Sequence, residues 1–261
     1  MTTKLSVIVA TYNSEKTLNE TLESLLAQTY RTFEVIVIDG LSKDGTVFII
    51  KKYEPLFLDK NIKFYWVSES DSGIYDAWNK GLKKTNSDWI GFLGSDDMYH
   101  PSALENYATE MDKQPNINYI CSKVEIINES GAIVKIMKSP YEYKQVIRYM
   151  DFAHVGSFHH RELFERYGNF DITYKIAGDY DFFLRCGNNI RSGYLNKITA
   201  RMLNSGVSNA NFLNPLKEGL KAQLKHKRTS FFQIYFEYYF AIFRVSVNRL
   251  KHILAQKLGR L

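Results

Sequence analysis

Four short apolar runs end alike, and this constrains the chain more than any other feature. They are Leu5–Thr11, Phe33–Asp39, Ile62–Ser68 and Trp89–Leu93, each rich in β-branched or aromatic residues and too short for a buried helix. Between them lie stretches with helical spacing. Glu15–Gln28 puts Leu18, Leu22, Leu25 and Leu26 on one face with Ser14 as N-cap; Asp44–Tyr53 and Ile74–Lys84 follow. Strands alternating with short helices predict βαβ units and an α/β fold with a mostly parallel sheet covered on both faces. Such sheets bind ligands at the carboxyl ends of their strands. Here those ends read Thr11-Tyr12-Asn13, Asp39-Gly40, Ser68 to Gly73 with Glu69 and Asp71, and Gly94-Ser95-Asp96-Asp97. Like charges gathered on one rim repel, and a bound cation or a ligand rich in hydroxyls and amides removes that cost.

The signatures of other nucleotide sites are missing. No GxGxxG follows the first run, which disfavours a nicotinamide or flavin site, and no GxxxxGK[ST] marks a P-loop. A divalent cation held by the Asp96–Asp97 pair is the natural substitute on a diphosphate, and hard oxygen ligands select Mg²⁺ or Mn²⁺ over zinc. The two cysteines, Cys121 and Cys186, are too few for a disulfide framework or a cysteine zinc site and read as buried hydrophobes in a reducing cytosol. The N-terminus lacks a basic leader and reads as the first strand, and no stretch is long and apolar enough to span a bilayer.

Further along, Tyr119–Ile127 and Ala132–Lys138 flank Asn128–Gly131 as a hairpin, Arg161–Tyr167 is a short helix, Ala177–Gly187 is a helix that starts acidic, and Gly193–Leu203 is a last strand. Pro215 opens a helical tail. The charge is uneven: residues 217–261 carry ten Lys/Arg against two Glu, while the whole chain is only +6. A basic tail on a slightly acidic body points to a local contact and away from nucleic acid. Aromatics at 231, 232, 235, 236, 239, 240 and 243 accompany that charge. The tail reads either as a helix packing its aromatic face on the domain or a second subunit of a homo-oligomer, or as an interfacial anchor on anionic lipid.

The segments SVIVATYNSEKTLNETLESLLAQTYRTFEVIVIDGLSKDGT, SESDSGIYDAWNKGL and WIGFLGSDD, in that order, resemble the inverting nucleotide-sugar glycosyltransferases of family 2, with the GT-A fold. Within that family the resemblance is to bacterial enzymes that build O-antigen, capsule or other exopolysaccharide, and it continues more weakly through GDYDFFLR to about residue 205. It implies a metal-dependent hexosyltransferase using a UDP-hexose and Mn²⁺ or Mg²⁺, with a saccharide or polyprenyl-diphosphate-linked saccharide as acceptor, peripheral on the inner face of a bacterial plasma membrane. Residues 1–97 would form the nucleotide-sugar half, 98–205 the acceptor half of the same domain, and 206–261 the tail. By the same resemblance, Thr11, Tyr12 and Asn13 line the nucleotide pocket and Asp39 bonds the base or ribose. Asp71 helps read the nucleotide, Gly73 lets the backbone approach it, and Asp76, Asn79 and Lys80 reach the donor. Ser95-Asp96-Asp97 corresponds to the DxD element with serine in first place; Asp96 contacts ribose or donor sugar and Asp97 is the main metal ligand. His154 touches diphosphate, metal or acceptor. Asp179 is the general base, with Gly178 where the family often has Glu. The QxxRW signature of processive synthases is absent, which disfavours a polymerising enzyme.

Each of these residues also has a plainer reading. Asp96-Asp97 alone would be a solvated turn, Asp39 a loop cap, Asp179 a first-turn acid on a helix dipole, and His154 a packed histidine. Asp181 reads as a structural partner of Arg185, and Asn79 and Lys80 as ordinary helix-surface residues. The replaced acids at 95 and 178 also leave room for a second class of function, an inactive nucleotide-sugar-binding or scaffolding protein of a membrane-bound polysaccharide assembly.

Overall fold

The computed structural model describes residues 4–204 and 213–257, with side chains placed as far as Arg244 and again at Val247. Residues 206–212 and 258–261 of the expected tail lie outside the described residues. The first half contains β1 (Leu5–Thr11), α1 (Leu18–Leu26), β2 (Phe33–Asp39), α2 (Thr46–Asp59), β3 (Lys63–Ser68), α3 (Ile74–Leu82) and β4 (Trp89–Gly94). The second half adds β5 (Met98–Tyr99), α4 (Ala103–Lys113), β6 (Tyr119–Ile127), β7 (Ile133–Met137), α5 (Tyr143–Val146), β8 (Ser157–His160), α6 (Arg161–Tyr167), α7 (Gly178–Cys186) and β9 (Ser192–Leu203). Two helices close the described chain, α8 (Leu213–His226) and α9 (Phe231–Lys257).

One sheet runs β3-β2-β1-β4-β8-β6-β9-β5, with β7 on β6. The first four strands are parallel, as their sequence pattern predicts, and their register sets the rim. Thr11 lies opposite Asp39, Asp39 opposite Ser68, and Ala10 opposite Gly94, so all four strands end in one row. The other half is mixed: β8 is antiparallel to both β4 and β6, and β9 is parallel to β6. β1 is buried throughout because its alternate residues enter two cores. Leu5, Val7 and Val9 pack with α1, α2 and α4, while Ile8 and Ala10 pack with α3, α6 and α7.

Several boundaries move for physical reasons. The α1 helix starts at Leu18 and not at Glu15, because the Ser14 carbonyl closes a turn onto the Thr17 and Leu18 amides; the N-cap is Thr17. α2 runs through Pro55 to Asp59, since Tyr53 and Phe57 are both buried and hold the helix on the sheet. The hairpin turn at Asn128–Gly131 forms as expected, with Gly131 at φ 79°.

Candidate active site

Above the parallel rim opens a cavity of about 1680 Å³. Its floor is the row of strand ends, and its far wall comes from α7, α8 and α9. Thr11, Tyr12 and Asn13 line it. Asn13 adopts a left-handed backbone (φ 49°), its amide donating to Ser42 Oγ at 2.8 Å and its Oδ1 accepting from the Lys43 amide at 2.9 Å. The loop after β1 is thereby stitched to the loop after β2, and the Ser14–Ser95 hydroxyl contact of 2.6 Å ties it to the end of β4.

Asp39 is fully buried and does not line the cavity. It accepts from the Ser42 amide at 3.0 Å, from the Ser42 hydroxyl, and from Ser68 Oγ at 2.6 Å, so it fastens β2 to β3 and shapes the rim from below. Asp71 does line the cavity and accepts from the Gly73 amide at 2.8 Å; burial pushes its carboxyl up. Gly73 has φ 121°, a backbone open mainly to glycine.

Asn79 and Lys80 do not line the cavity. Asn79 clamps Phe170 at two points, Nδ2 donating to its carbonyl at 2.8 Å and Oδ1 accepting from its amide at 3.0 Å. Lys80 bonds the Ser70 carbonyl at 2.5 Å and Glu69 at 3.1 Å. Asp76 accepts from the Ser72 amide at 3.0 Å. Lys80 and Asp76 thus support the loop after β3, while Asn79 holds the segment between α6 and α7.

Ser95, Asp96 and Asp97 all line the cavity. Asp97 is buried and accepts from the Gly94 amide at 3.0 Å. Burial, and then the neighbouring Asp96 charge, push its carboxyl up to about 7; burial raises Asp96 too. A Cβ at Gly94 would fall 2.8 Å from Asp96 Oδ1, so glycine makes room for the pair. Two adjacent carboxylates that resist ionising together fit a divalent cation, which would restore both charges. Among the described residues no group of three or more His, Cys, Asp or Glu is placed to hold a metal ion.

His154, expected beside the metal, lines the cavity from an aromatic nest. Its ring lies 5.0 Å from Trp78 and 5.5 Å from Phe92, centroid to centroid, and neither ring nitrogen has a protein partner. Burial drives its pKa down to about 3, so the ring is neutral.

Asp179, on the first turn of α7, faces the same cavity. Its Oδ1 accepts from the Tyr180 amide at 2.8 Å and the Tyr75 hydroxyl at 3.1 Å, while that hydroxyl makes its shorter contact, 2.6 Å, with the Ile176 carbonyl. Burial pushes Asp179 up to about 6. Asp181, two residues on, is fully buried and turned to the tail. Burial alone would raise it, but His226 and Lys225, each at 2.9 Å, hold it below the usual range; Arg185 stands farther off at 3.6 Å.

Sequence reasoning missed Tyr75 and the tail's contribution. The signal for the latter was present: a tail with ten basic residues has only two acids, and both have partners. Glu218 accepts from the amides that precede α7, and Glu237 pairs with Arg148 at 2.6 Å on the cavity wall.

The family model for glycosyl transferase family 2 matches residues 6–181, from β1 through the first turns of α7. An uncharacterized glycosyltransferase of Haemophilus influenzae is 30% identical over 187 residues, 69% of this chain and 61% of that protein. A PGL/p-HBAD biosynthesis glycosyltransferase of Mycobacterium bovis is 27% identical over 192 residues, 70% of each chain. Among solved structures, TarS of S. aureus superposes with TM-score 0.64 at 25% identity, covering 84% of this chain and 39% of that one. Its 1–349 fragment in complex with UDP-GlcNAc gives TM-score 0.66 at 24% identity over 84% of this chain and 66% of that one. A mannosyltransferase from Pyrobaculum calidifontis, in complex with GDP-Man and Mn²⁺, shares the fold at TM-score 0.57 and 17% identity, over 98% of this chain and 79% of that one. With the family model covering two thirds of its length and the acidic rim in place, the chain belongs to glycosyl transferase family 2.

Proposed function

We propose that the chain transfers a hexose from a nucleotide sugar, UDP-linked first of all, to a saccharide or lipid-linked saccharide acceptor, with inversion at the anomeric carbon. The observation that carries this is the meeting, in one cavity, of a paired carboxylate at the end of β4 with a single protonatable carboxylate on α7. Residues 1–97 bind the donor, 98–205 carry the acceptor side and the base, and 206–261 complete the wall and contact a membrane surface.

The roles follow from the chemistry. A nucleoside diphosphate leaves, and its charge grows in the transition state. Asp97, with Asp96 beside it, would hold Mn²⁺ or Mg²⁺, which when bound neutralises that growing charge. Tyr12 stands beside Asp71 at the rim, an exposed ring next to an acceptor, the pairing a base and ribose need. The acceptor hydroxyl is a poor nucleophile at neutral pH, so Asp179 takes its proton as the new C–O bond forms. A single in-line displacement converts an α-linked donor into a β-glycoside. Surface-polysaccharide assembly is the setting that the family resemblance and the basic aromatic tail support together.

The test is a panel of nucleotide sugars with and without Mn²⁺, headed by UDP-GlcNAc and GDP-mannose because solved relatives of this fold hold them. Wild type should bind or hydrolyse one donor in a metal-dependent way, and Asp97→Asn should lose most of that binding while keeping its fold. Metal-independent binding, or an Asp97→Asn variant equal to wild type, would overturn the metal role.

A further inference from the structure

Glu218 sits 39 residues beyond the proposed base in sequence, on α8, yet it governs the backbone that leads to it. Its Oε2 accepts from the Ile176 amide at 2.8 Å and the Ala177 amide at 2.9 Å, and its Oε1 from the Lys175 amide at 3.0 Å. Three successive amides thus converge on one carboxylate just before α7, whose second residue is Asp179. Amides at a helix entrance have no partner inside the helix and must find one outside it. The helix that supplies this partner is itself held firmly. Lys225 and His226 reach the buried Asp181, Lys225 also reaches Asp171 at 2.9 Å, and Gln223 Nε2 donates to the Arg148 carbonyl at 2.7 Å.

We propose that Glu218 is a positioning residue for sugar transfer: its carboxylate fixes the Lys175–Ala177 backbone and so aims the Asp179 carboxylate into the cavity. This rests on the reading of Asp179 as the base. A misaimed base slows proton transfer without touching donor binding, which belongs to the opposite rim. Glu218 also adds negative charge near Asp179 and helps raise it. The other groups around Asp179 are the Tyr75 hydroxyl from α3 and the Tyr180 amide of its own helix. The Arg148–Glu237 pair and Arg244 line the same cavity from the turn after α5 and from α9, and Asp181 is matched by Lys225 and His226.

The experiment compares wild type, Glu218→Ala and Glu218→Gln as full chains, with UDP-GlcNAc and Mn²⁺ as the donor probe. Alanine removes the acceptor oxygens, whereas glutamine keeps one and loses only the charge. In Glu218→Ala, amide exchange at 175–177 should rise roughly tenfold while β1 and β2 stay protected. Its kcat should fall roughly tenfold or more with donor affinity within about twofold. Glu218→Gln should recover most of kcat, and the acidic limb of its rate should move to lower pH. Wild-type exchange or wild-type kcat in Glu218→Ala overturns the proposal, as does a loss of donor binding in step with kcat or an unmoved acidic limb in Glu218→Gln. If wild type transfers no sugar from any donor, it is the functional reading that has failed; the exchange rates then decide alone whether Glu218 holds the entrance segment.

Discussion

At the scale of single residues, Asp179 and Asp181 show how two carboxylates only two residues apart, on opposite sides of one helix, acquire opposite character. Asp181 meets Lys225 and His226 and stays ionised; Asp179 has only a phenol and one amide for partners, too little to offset the burial that raises it to about 6. A base must be ionised to accept a proton, so turnover should be flat above that value and fall about tenfold per pH unit well below it. Asp179→Asn should lower kcat by roughly two to four orders of magnitude and remove that limb, measured as initial rates from pH 4.5 to 8.5. The fold should survive. A folded pKa raised above the ordinary 3.8 means that the stability contribution is full below 3.8 and is lost as pH rises through about 6. Asparagine does not ionise, so at pH 8 the variant should melt no lower than wild type, as read by thermal unfolding. The acid pair at the end of β4 was legible in the sequence because a strand end is a local feature, whereas Asp179 stood out through the family resemblance and by itself read as a first-turn acid. The seating of His154 among aromatics was legible only as one of two readings, since Phe92, Phe170 and Phe183 come from distant parts of the chain.

At the scale of elements, what was legible divides by the origin of each element's stability. β1, β2 and β4 announce themselves because both of their faces are buried, whereas β3, at the sheet edge, is half exposed and shows by its β-branched and aromatic residues. β5 and β8 carry no such signal, since two and four residues are too few for a period and their pairing with β9, β4 and β6 is set by segments far away. The sequence pattern ends this helix at Tyr53, yet it runs on through Pro55 because Phe57 beyond it is buried on the sheet. The contact between α7 and α3 illustrates an element-level constraint that looks like a missing catalytic acid. A Cβ at Gly178 would fall 2.8 Å from the Tyr75 ring, so the room for a side chain before Asp179 is taken by that ring. Gly178→Ala should therefore force α7 away from α3, costing about 1–3 kcal/mol in denaturant unfolding and lowering kcat more than donor affinity. An alanine variant as stable as wild type would show that the two helices can slide apart freely.

At the scale of the whole molecule, the tail has two parts with different attachments. α8 is latched to α7 through Asp181 and to the base-bearing segment through Glu218. α9 docks by the buried Ile234 and the Glu237–Arg148 pair, and it adds Tyr238, Phe240 and Arg244 to the cavity wall. Its other side carries Phe232, Phe236, Tyr239 and Phe243, exposed by 83%, 57%, 63% and 65%. Steps of four, three and four residues place these on one helical face, beside the basic cluster at the start of the helix. No described helix is long and apolar enough to cross a membrane; the proposal for this face is that it lies in the plane of a lipid surface. Deleting the entire tail is a poor test, because it would also remove Glu218 and the Asp181 latch. The informative variant replaces Phe232, Phe236 and Phe243 with glutamate and leaves α8 and the docked face of α9 intact. Wild type should float with phosphatidylglycerol-rich vesicles and weakly with phosphatidylcholine, and the flotation should weaken in high salt. The triple variant should lose roughly a hundredfold or more in partitioning, through apolar area no longer buried and charge of the wrong sign. Its transfer to a soluble acceptor should stay within about threefold of wild type, because none of the three rings belongs to the acid pair or the base-bearing segment. Equal flotation of variant and wild type would remove lipid as the partner of this face. A variant that instead turned from dimer to monomer in solution would assign the aromatic stripe to a second copy of the chain.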